Sequence, residues 1–273
     1  MSEKLKDDPT ETATARGTTG ALPVETVCPD EERRYDYLLT LVHEFRNPLT
    51  ALAGAVDILE DELRPYLDPK KREFFDIVEV SLARLNQMLD EMLELTALEG
   101  REIELNYDVV DVAALCRDAL AEYEPRAKVF KVKLNPVQAE GELPKVECDP
   151  ELITRVIANL VSNAVKYNKP GGEVDVSLSA REGNLRVAVA DTGTGIPKAD
   201  FAKVFTRFYR APEVRQRKIA GTGLGLVIAK NIVELHGGEM SFTSRAGRGS
   251  TFRFTIPVKS AGKIGTESDG RSR

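Results

Sequence analysis

His43 is one of two histidines in a chain of 273 residues, and its neighbours make it the first candidate for chemistry. A ring nitrogen of a neutral imidazole is a nucleophile, and an ordinary pKa of about 6.5 leaves most such rings neutral at pH 7. Glu44 can hold the proton on one ring nitrogen and so present the other, while Asn47 lies one helical turn further on. The pattern predicts a nucleophilic histidine. An ordinary surface histidine beside a chance kink at Pro48 is the alternative.

Two asparagines, Asn159 and Asn163, lie four residues apart in a segment that Asp149 and Pro150 should begin as a helix. Their amides therefore lie on one side of that helix. Amide oxygens are neutral, hard ligands suited to Mg²⁺, whose charge phosphates would balance, and Lys166 can meet a phosphate as a point charge. A helix with two solvated asparagines is the alternative.

Two glycine-containing segments offer backbone that a nucleotide can approach closely. Asp191 begins Asp-Thr-Gly-Thr-Gly-Ile at the end of an apolar strand, where a carboxylate can accept from the exocyclic amine of adenine. Residues 221–226, Gly-Thr-Gly-Leu-Gly-Leu, open a helix whose free N–H groups favour phosphate. The first segment can equally be plain turn chemistry, and the second is weak alone because it is not the dinucleotide-binding pattern.

A basic segment separates the two glycine segments and runs from residue 201 to residue 220. Its cationic side chains are Lys203, Arg207, Arg210, Arg215, Arg217 and Lys218. The length and the charge together favour a mobile lid over a triphosphate, with a solvated charged loop as the alternative.

Apolar or aromatic side chains recur at heptad positions a and d from Tyr35 to Tyr66, over more than four heptads. This pattern predicts a long helix in a coiled-coil-like bundle. With Tyr35 at position a, His43 falls at position b, which points away from the bundle. The heptad therefore presents His43 to a second domain.

A second apolar stripe between Lys70 and Leu98 predicts another long helix, and Pro65 and Pro69 mark the turn between the two. Residues 31–99 should therefore form a helical hairpin. Because one hairpin has too thin a core to stand alone, we expect two copies to pair into a four-helix bundle, as a homodimer.

The pattern becomes mixed α and β over residues 100–258, with an antiparallel hairpin around residues 182–184. The fold class is therefore α+β, with a mixed, largely antiparallel sheet. Residues 1–30 and 259–273 lack an apolar period and are predicted to be flexible. The predicted elements are strands near 103–107, 129–134 and 145–148, helices over 111–124, 150–167 and 224–236, paired strands 174–178 and 185–189, and closing strands 240–242 and 252–256.

The composition excludes several classes of protein. Hydrophobic residues make up 42% and charged residues 30%, which is typical of a globular protein, and no stretch approaches the roughly 20 apolar residues of a membrane span. A net charge of −6 argues against a general nucleic-acid binder. The three cysteines are scattered and give neither a disulfide framework nor a zinc site. We expect a cytoplasmic chain without membrane insertion.

Taken in order, five segments resemble the boxes of two-component sensor histidine kinases. HEFRNPLT at 43–50 resembles the H box, NLVSNAVKY at 159–167 the N box, DTGTGI at 191–196 the first glycine box, FTRFYR at 205–210 the F box and GTGLGL at 221–226 the second glycine box. The resemblance spans about residues 35–257. It implies a dimerisation and phosphotransfer hairpin followed by a Bergerat-type α/β sandwich that binds ATP.

The resemblance also implies a function and residue roles. His43 would be autophosphorylated from ATP and pass the phosphoryl group to an aspartate of a response regulator, with Glu44 as base and Asn47 orienting the water that removes phosphate from that partner. Asn163 would bind Mg²⁺. The residues expected around the nucleotide are Asn159, Asn163, Lys166, Tyr167, Asp191, Gly193, Gly195, Ile196, Phe205, Arg207, Arg210, Gly221, Thr222, Gly223, Leu224, Gly225 and Thr251.

Asn159 separates enzyme classes within the same ATP-binding superfamily. The gyrase, chaperone and mismatch-repair ATPases carry a water-activating glutamate where this chain has Asn159, so hydrolysis should be slow. Phe45 and Asn47 replace the commoner leucine and threonine of the H box, which puts the strength of phosphatase activity in doubt. A steadily hydrolysing ATPase and a non-catalytic scaffold that binds ATP are the competing hypotheses.

Overall fold

The computed structural model describes residues 29–100, 103–211 and 221–258. The predicted N-terminal arm, apart from its last two residues, the C-terminal tail and the distal part of the basic segment, residues 212–220, lie outside the described residues. So do the side chains of residues 29–39, His43, Arg64, Pro69 and Lys70.

A helical hairpin forms the N-terminal part of the structure, as the heptads predict. Helix α1 spans Pro29–Leu63, a 3-10 turn spans Arg64–Tyr66, and helix α2 spans Pro69–Glu99. Asp68 caps α2, because its side chain accepts from the backbone N–H of Lys71 at 2.9 Å. Pro69 is the first residue of α2. The N–H that proline lacks would have no helical acceptor at this position, so proline does not disturb the start of the helix.

The apolar seam of α1 is largely open within one chain. Val42 is 2% exposed, whereas Phe45, Leu52 and Leu59 at the d positions are 57, 54 and 49% exposed. Exposure of such a row of large apolar side chains to water is unfavourable. Covering the row with another surface lowers the free energy. Helix α1 is continuous through Pro48.

The second part of the structure is a layered α/β domain. Its elements are β1 (Asp108–Val110), α3 (Val112–Phe130), β2 (Lys133–Leu134), β3 (Gln138–Glu140), β4 (Val146–Cys148), α4 (Pro150–Lys166), β5 (Glu173–Arg181), β6 (Asn184–Asp191), a 3-10 turn (Lys198–Lys203), α5 (Gly225–Leu235), β7 (Met240–Arg245) and β8 (Gly249–Pro257).

The main sheet is mixed, with strand order β2-β5-β6-β8-β7. Strands β5, β6, β8 and β7 pair antiparallel, whereas β2 and β3 both pair parallel with β5. Strands β1 and β4 form a separate antiparallel pair. The prediction of a mixed, largely antiparallel sheet in an α+β fold is confirmed.

Helices cover one face of this sheet. Burial alternates along β5 and β6, so that Val174, Val176 and Val187 are fully buried while their neighbours are not. The same buried cluster includes Leu95 and Leu98 of α2. The end of the hairpin therefore packs into the core of the α/β domain, and α2 is fixed beside it.

Of the predicted elements around α3, one strand is wrong, and one helix and one strand are present with other bounds. Residues 103–107 form no strand, and β1 begins at Asp108. Helix α3 continues through Pro125 to Phe130, because burial of Ala127 holds its last turn against the core. Lys131 then ends the helix with a φ of 56°, so the predicted strand over 129–134 shrinks to Lys133–Leu134.

The second histidine, His236, joins two helices in the core. It follows the last residue of α5 and is buried, with Nδ1 donating to the carbonyl of Ile232 at 2.7 Å. Its Nε2 accepts from the backbone N–H of Asp149 at 3.0 Å, and Asp149 in turn caps α4. Both ring nitrogens are therefore engaged within the fold.

Among the described residues, no helix combines the length and the apolar character that crossing a bilayer requires.

Candidate nucleotide-binding site

Helix α4 positions the two asparagines. Asp149 accepts from the backbone N–H groups of Glu151 and Leu152, both at 3.1 Å, which starts the helix where the sequence predicts. The apolar face of α4 is buried and its other face carries Asn159 and Asn163. The Nδ2 of Asn163 donates to Oδ1 of Asn159 at 2.9 Å, so the carbonyl oxygen of Asn163 is directed elsewhere and can meet a cation.

Asp191 ends β6 at the mouth of a pocket. Its Oδ1 accepts from the N–H of Gly193 at 2.8 Å. Burial raises the pKa of this carboxyl to about 6, and the backbone N–H groups of Gly193 and Ser250 limit the rise. A half-buried carboxylate at a pocket can accept a hydrogen bond from a ligand amine.

The turn after Asp191 is too crowded for side chains. A Cβ on Gly193 would lie 2.4 Å from the carbonyl oxygen of Tyr167, and one on Gly195 would lie 2.1 Å from that of Arg245. Gly195 also has a φ of 63°, which favours glycine. The glycines therefore let two strand ends and the end of α4 meet at the pocket.

The pocket brings together six residues of the predicted set: Asn163, Tyr167, Asp191, Gly195, Ile196 and Arg210. Apolar side chains make up most of the remaining wall: Leu160, Ala164, Val189, Val204, Leu226 and Phe252. A mainly apolar pocket with a few polar groups suits a flat heteroaromatic ring. Asp191 supplies the polar contact that such a ring needs for orientation.

Cationic groups lie at the end of α4. Burial and the guanidinium of Arg126 lower the pKa of Lys166, while the carboxylate of Glu91 on α2 opposes that change. Burial raises the pKa of Tyr167, and Arg210 opposes it. A half-buried lysine beside an arginine is a favourable environment for a polyanion.

The second glycine segment opens α5 directly against α4. A Cβ on Gly225 would lie 2.4 Å from Nδ2 of Asn159, and Gly223, with a φ of 84°, lies against the backbone of Phe208. Thr222 and Leu224 are buried, and Leu224 is the residue before the helix. The N-terminus of α5 thus lies beside the asparagine pair, where it can favour an anion.

Several predicted contacts lie outside the pocket lining. Phe205 packs against Phe242 at 5.8 Å between ring centroids, and Arg207 forms an ion pair with Glu99 of α2. Thr251 lies on β8 between two lining residues. Lys166, Asn159 and Gly193 are adjacent in sequence to lining residues, and within the second glycine segment only Leu226 belongs to the lining. Their roles as nucleotide contacts stay predictions.

Sequence reasoning missed some residues that the fold brings to the site. Tyr209 and Ser250 line the pocket and Arg126 lies near Lys166. Ser250 could have been found, because it lies two residues before Phe252 and alternation places both on one face of β8. Arg126 carries no comparable signal, since its approach depends on the continuation of α3 through Pro125.

His43 lies on α1, and the structure describes its backbone without its side chain. The neighbouring side chains of Glu44 and Asn47 are exposed, while Val42 is buried. Arg46 forms an ion pair with Asp90 and so ties this turn of α1 to α2. The roles of His43, Glu44 and Asn47 stay predictions.

Comparison with known proteins agrees with this geometry. A family model for the His kinase A phospho-acceptor domain matches residues 33–101, and one for histidine kinase-, DNA gyrase B- and HSP90-like ATPases matches residues 148–260. The sensor histidine kinase WalK of Bacillus subtilis is 34% identical over 236 residues, which are 84% of this chain and 37% of WalK. The chain belongs to the sensor histidine kinase family.

Solved structures of histidine kinases share the fold. Full-length ShkA in complex with AMPPNP matches 83% of this chain and 46% of its own, with a TM-score of 0.69 and 29% identity. ThkA in complex with the response regulator TrrA matches 84% of this chain and 66% of its own, with a TM-score of 0.59 and 23% identity. The chain thus spans less than half the length of WalK and of ShkA.

Proposed function

We propose that this histidine kinase chain uses ATP to phosphorylate His43 and then relays the phosphoryl group to an aspartate of a response regulator. The observation that carries the proposal is the pocket in which half-buried Asp191 faces an apolar wall and the Asn159–Asn163 pair borders the start of α5. The binding of AMPPNP by ShkA and of a response regulator by ThkA supports the two substrates.

The reaction is in-line displacement at the γ-phosphorus. The lone pair of one imidazole nitrogen of His43 forms the new N–P bond as the bond to the bridging oxygen breaks and ADP leaves with that electron pair. As the N–P bond forms the ring gains positive charge, and Glu44 accepts the proton from the other ring nitrogen, which leaves the phosphorylated ring neutral. Phosphohistidine then transfers the group to a carboxylate of the partner.

The asparagine pair fits Mg²⁺ and disfavours hydrolysis. The carbonyl oxygen of Asn163 is the ligand we assign to Mg²⁺, because the donor side of the amide is already bonded to Asn159. Mg²⁺ would neutralise charge on the phosphates. Asn159 cannot accept a proton from water, so a water molecule next to it gains no base.

We also propose a homodimer in the cytoplasm, where ATP is available. The open row of Phe45, Leu52 and Leu59 supports pairing of two hairpins. In such a bundle the exposed Glu44 and Asn47 stay accessible from outside. Asn47 is then available to orient a water molecule for dephosphorylation of the response regulator.

Incubation with ATP labelled at the γ-phosphate, in the presence of Mg²⁺, tests the kinase. We expect label on the protein that acid removes and base does not, and we expect no label on His43→Gln. An unlabelled wild-type chain that still binds ATP would make it a non-catalytic scaffold and overturn the proposal.

Phosphate release distinguishes the remaining hypothesis, a steadily hydrolysing ATPase. The proposed kinase should release little phosphate, and that release should require His43. Steady release that is equal in wild type and His43→Gln would contradict the kinase. Incubating the labelled chain with candidate receiver domains, and with their Asp→Asn variants, then tests the relay to an aspartate.

A further inference from the structure

Carboxylates of α2 contact the α/β domain on the side of the glycine segments. Glu91 accepts from the hydroxyl of Thr222, Glu94 forms an ion pair with Arg155 of α4, and Glu99 forms an ion pair with Arg207. All three carboxylates lie between Glu91 and Glu99, at the end of α2, and all three reach the α/β domain. Thr222 and Arg207 are residues that sequence analysis assigns to the nucleotide.

Glu91 is held in place by partners on both oxygens. Its Oε1 accepts from Nε2 of Gln87 at 2.6 Å, one turn earlier on α2, while Oε2 receives the Thr222 hydroxyl. Seven residues earlier, Arg84 donates to the carbonyl of Gly221 at 3.0 Å. Two residues of α2 thus bind the first two residues of the second glycine segment.

The same carboxylate also faces the cation at the end of α4. Glu91 is close enough to Lys166 to raise the pKa of that lysine, against the larger opposite effects of burial and Arg126. Glu91 thus accepts a hydrogen bond from Thr222 and interacts with the charge of Lys166. A phosphate group would make the same two interactions.

We propose that Glu91 is a built-in competitor of the ATP phosphates, and that Glu99 plays the same part toward Arg207 of the basic segment. This inference rests on the proposed ATP site. The docked arrangement of α2 on the α/β domain and the triphosphate use the same groups, so each weakens the other. By linkage, ATP must release these contacts, which frees the ATP-binding domain to approach His43.

Nucleotide affinity of Glu91→Gln tests the competition. The substitution keeps the size of the side chain and removes its charge, and Glu73→Gln, at an exposed position of the same helix, is the matched control. Titration with AMPPNP and Mg²⁺ should give a dissociation constant lowered about threefold or more in Glu91→Gln and unchanged in Glu73→Gln. Adenosine, which has no phosphates, should bind all three chains equally.

An unchanged or weaker AMPPNP affinity in Glu91→Gln would overturn the inference, as would an equal gain for adenosine, which points to general loosening of the fold. Glu99→Gln is the second variant, and it should also tighten AMPPNP alone. Binding is measured without phosphoryl transfer, so the two failures differ. If the variants change AMPPNP affinity as expected but His43 is never labelled, only the proposed kinase activity is overturned. If His43 is labelled but the variants bind AMPPNP like wild type, only this inference is overturned.

Discussion

At the scale of single residues, Asp191 combines a proposed role in binding adenine with an expected cost to stability. The ordinary pKa of an aspartate is 3.8, which we take for the unfolded chain. In the folded chain burial disfavours the charged form and raises the pKa of Asp191 to about 6. Below pH 3.8 both folded and unfolded chains hold the proton, and the group has no effect. As the pH rises to about 6 the unfolded chain ionises first, so stability falls, and it stays reduced above pH 6.

Asp191→Asn should therefore be more stable and bind less well. At pH 7 we expect the free energy of unfolding in urea to rise by about 1 to 3 kcal/mol, since the amide carries no charge to bury. The difference should vanish below pH 3.8. Affinity for ATP should fall at least about tenfold, because the amide is a weaker acceptor for the adenine amine.

Asp118→Asn, on the exposed side of α3, is the control for these two measurements. It should change neither stability nor nucleotide affinity beyond about 0.5 kcal/mol. A loss of stability in Asp191→Asn at pH 7 would show that the carboxylate has a stabilising partner in the fold, contrary to our interpretation of its raised pKa.

At the scale of elements, the site depends on the close approach of α5 to α4. Gly225→Ala places a methyl group 2.4 Å from Nδ2 of Asn159 unless that amide moves. Because Asn159 is bonded to Asn163, its movement disturbs the ligand that we assign to Mg²⁺. We expect affinity for ATP with Mg²⁺ to fall about tenfold, with stability within about 1 kcal/mol of wild type.

Gly54→Ala is the matched control for Gly225→Ala. A Cβ there meets nothing within 4 Å, and the position lies inside α1. Alanine at this position should increase the free energy of unfolding by about 0.5 to 1 kcal/mol and leave nucleotide affinity unchanged. Equal nucleotide affinity in Gly225→Ala and wild type would mean that the asparagine pair moves without consequence.

Pro48 is the second feature at this scale. A proline inside a helix costs about 3 kcal/mol, because the carbonyl four residues earlier loses its donor, and here that carbonyl belongs to Glu44 beside His43. Pro48→Ala should increase the free energy of unfolding by about 1 to 3 kcal/mol and so raise the melting temperature. It should also slow the labelling of His43, because the helical turn that contains His43 becomes regular.

Pro65→Ala provides the comparison, because Pro65 lies in the 3-10 turn that follows α1 and not inside the helix. Its melting temperature and labelling rate should stay close to wild type. If Pro48→Ala labels His43 at the wild-type rate, the proline serves the shape of the bundle and not the phosphoacceptor.

At the scale of the whole molecule, the open apolar seam of α1 is the surface through which we propose that two chains pair. Leu52→Glu puts a charge in the seam, where pairing with a second copy would bury it, and should shift the chain from dimer to monomer in sedimentation equilibrium. Thr50→Glu adds the same residue at outward position b and should leave the dimer intact. A dimer that persists in Leu52→Glu would place the interface elsewhere.

The sequence predicts this architecture well where periodicity is strong. The heptads of α1, the capping Asp149 of α4 and the alternation along β5 each reflect local physics, and their elements are found as expected. The errors around α3 have a different origin. Burial of Ala127 keeps the helix intact past Pro125, and such long-range packing cannot be inferred from local propensity.

The site shows the same division. Asp191 and Asn163 were predicted from their places at a strand end and on a helix, and the pocket contains both. The contacts of Glu91 and Glu99 were not predicted, because nothing in the local sequence shows which surface that side of α2 meets. Contacts between elements distant in sequence depend on how α2 packs on the core.

The engagement of both nitrogens of His236 gives this chain a practical property. The chain has two histidines, and electrophiles such as diethyl pyrocarbonate need a free ring nitrogen. His236 is buried with one nitrogen donating and the other accepting, so the native fold should withhold it from acylation. The ultraviolet absorbance of modified histidine should then show one rapidly reacting imidazole per chain. Prior phosphorylation of His43 should abolish this reaction, so the fraction of chains phosphorylated on His43 can be measured without an isotope.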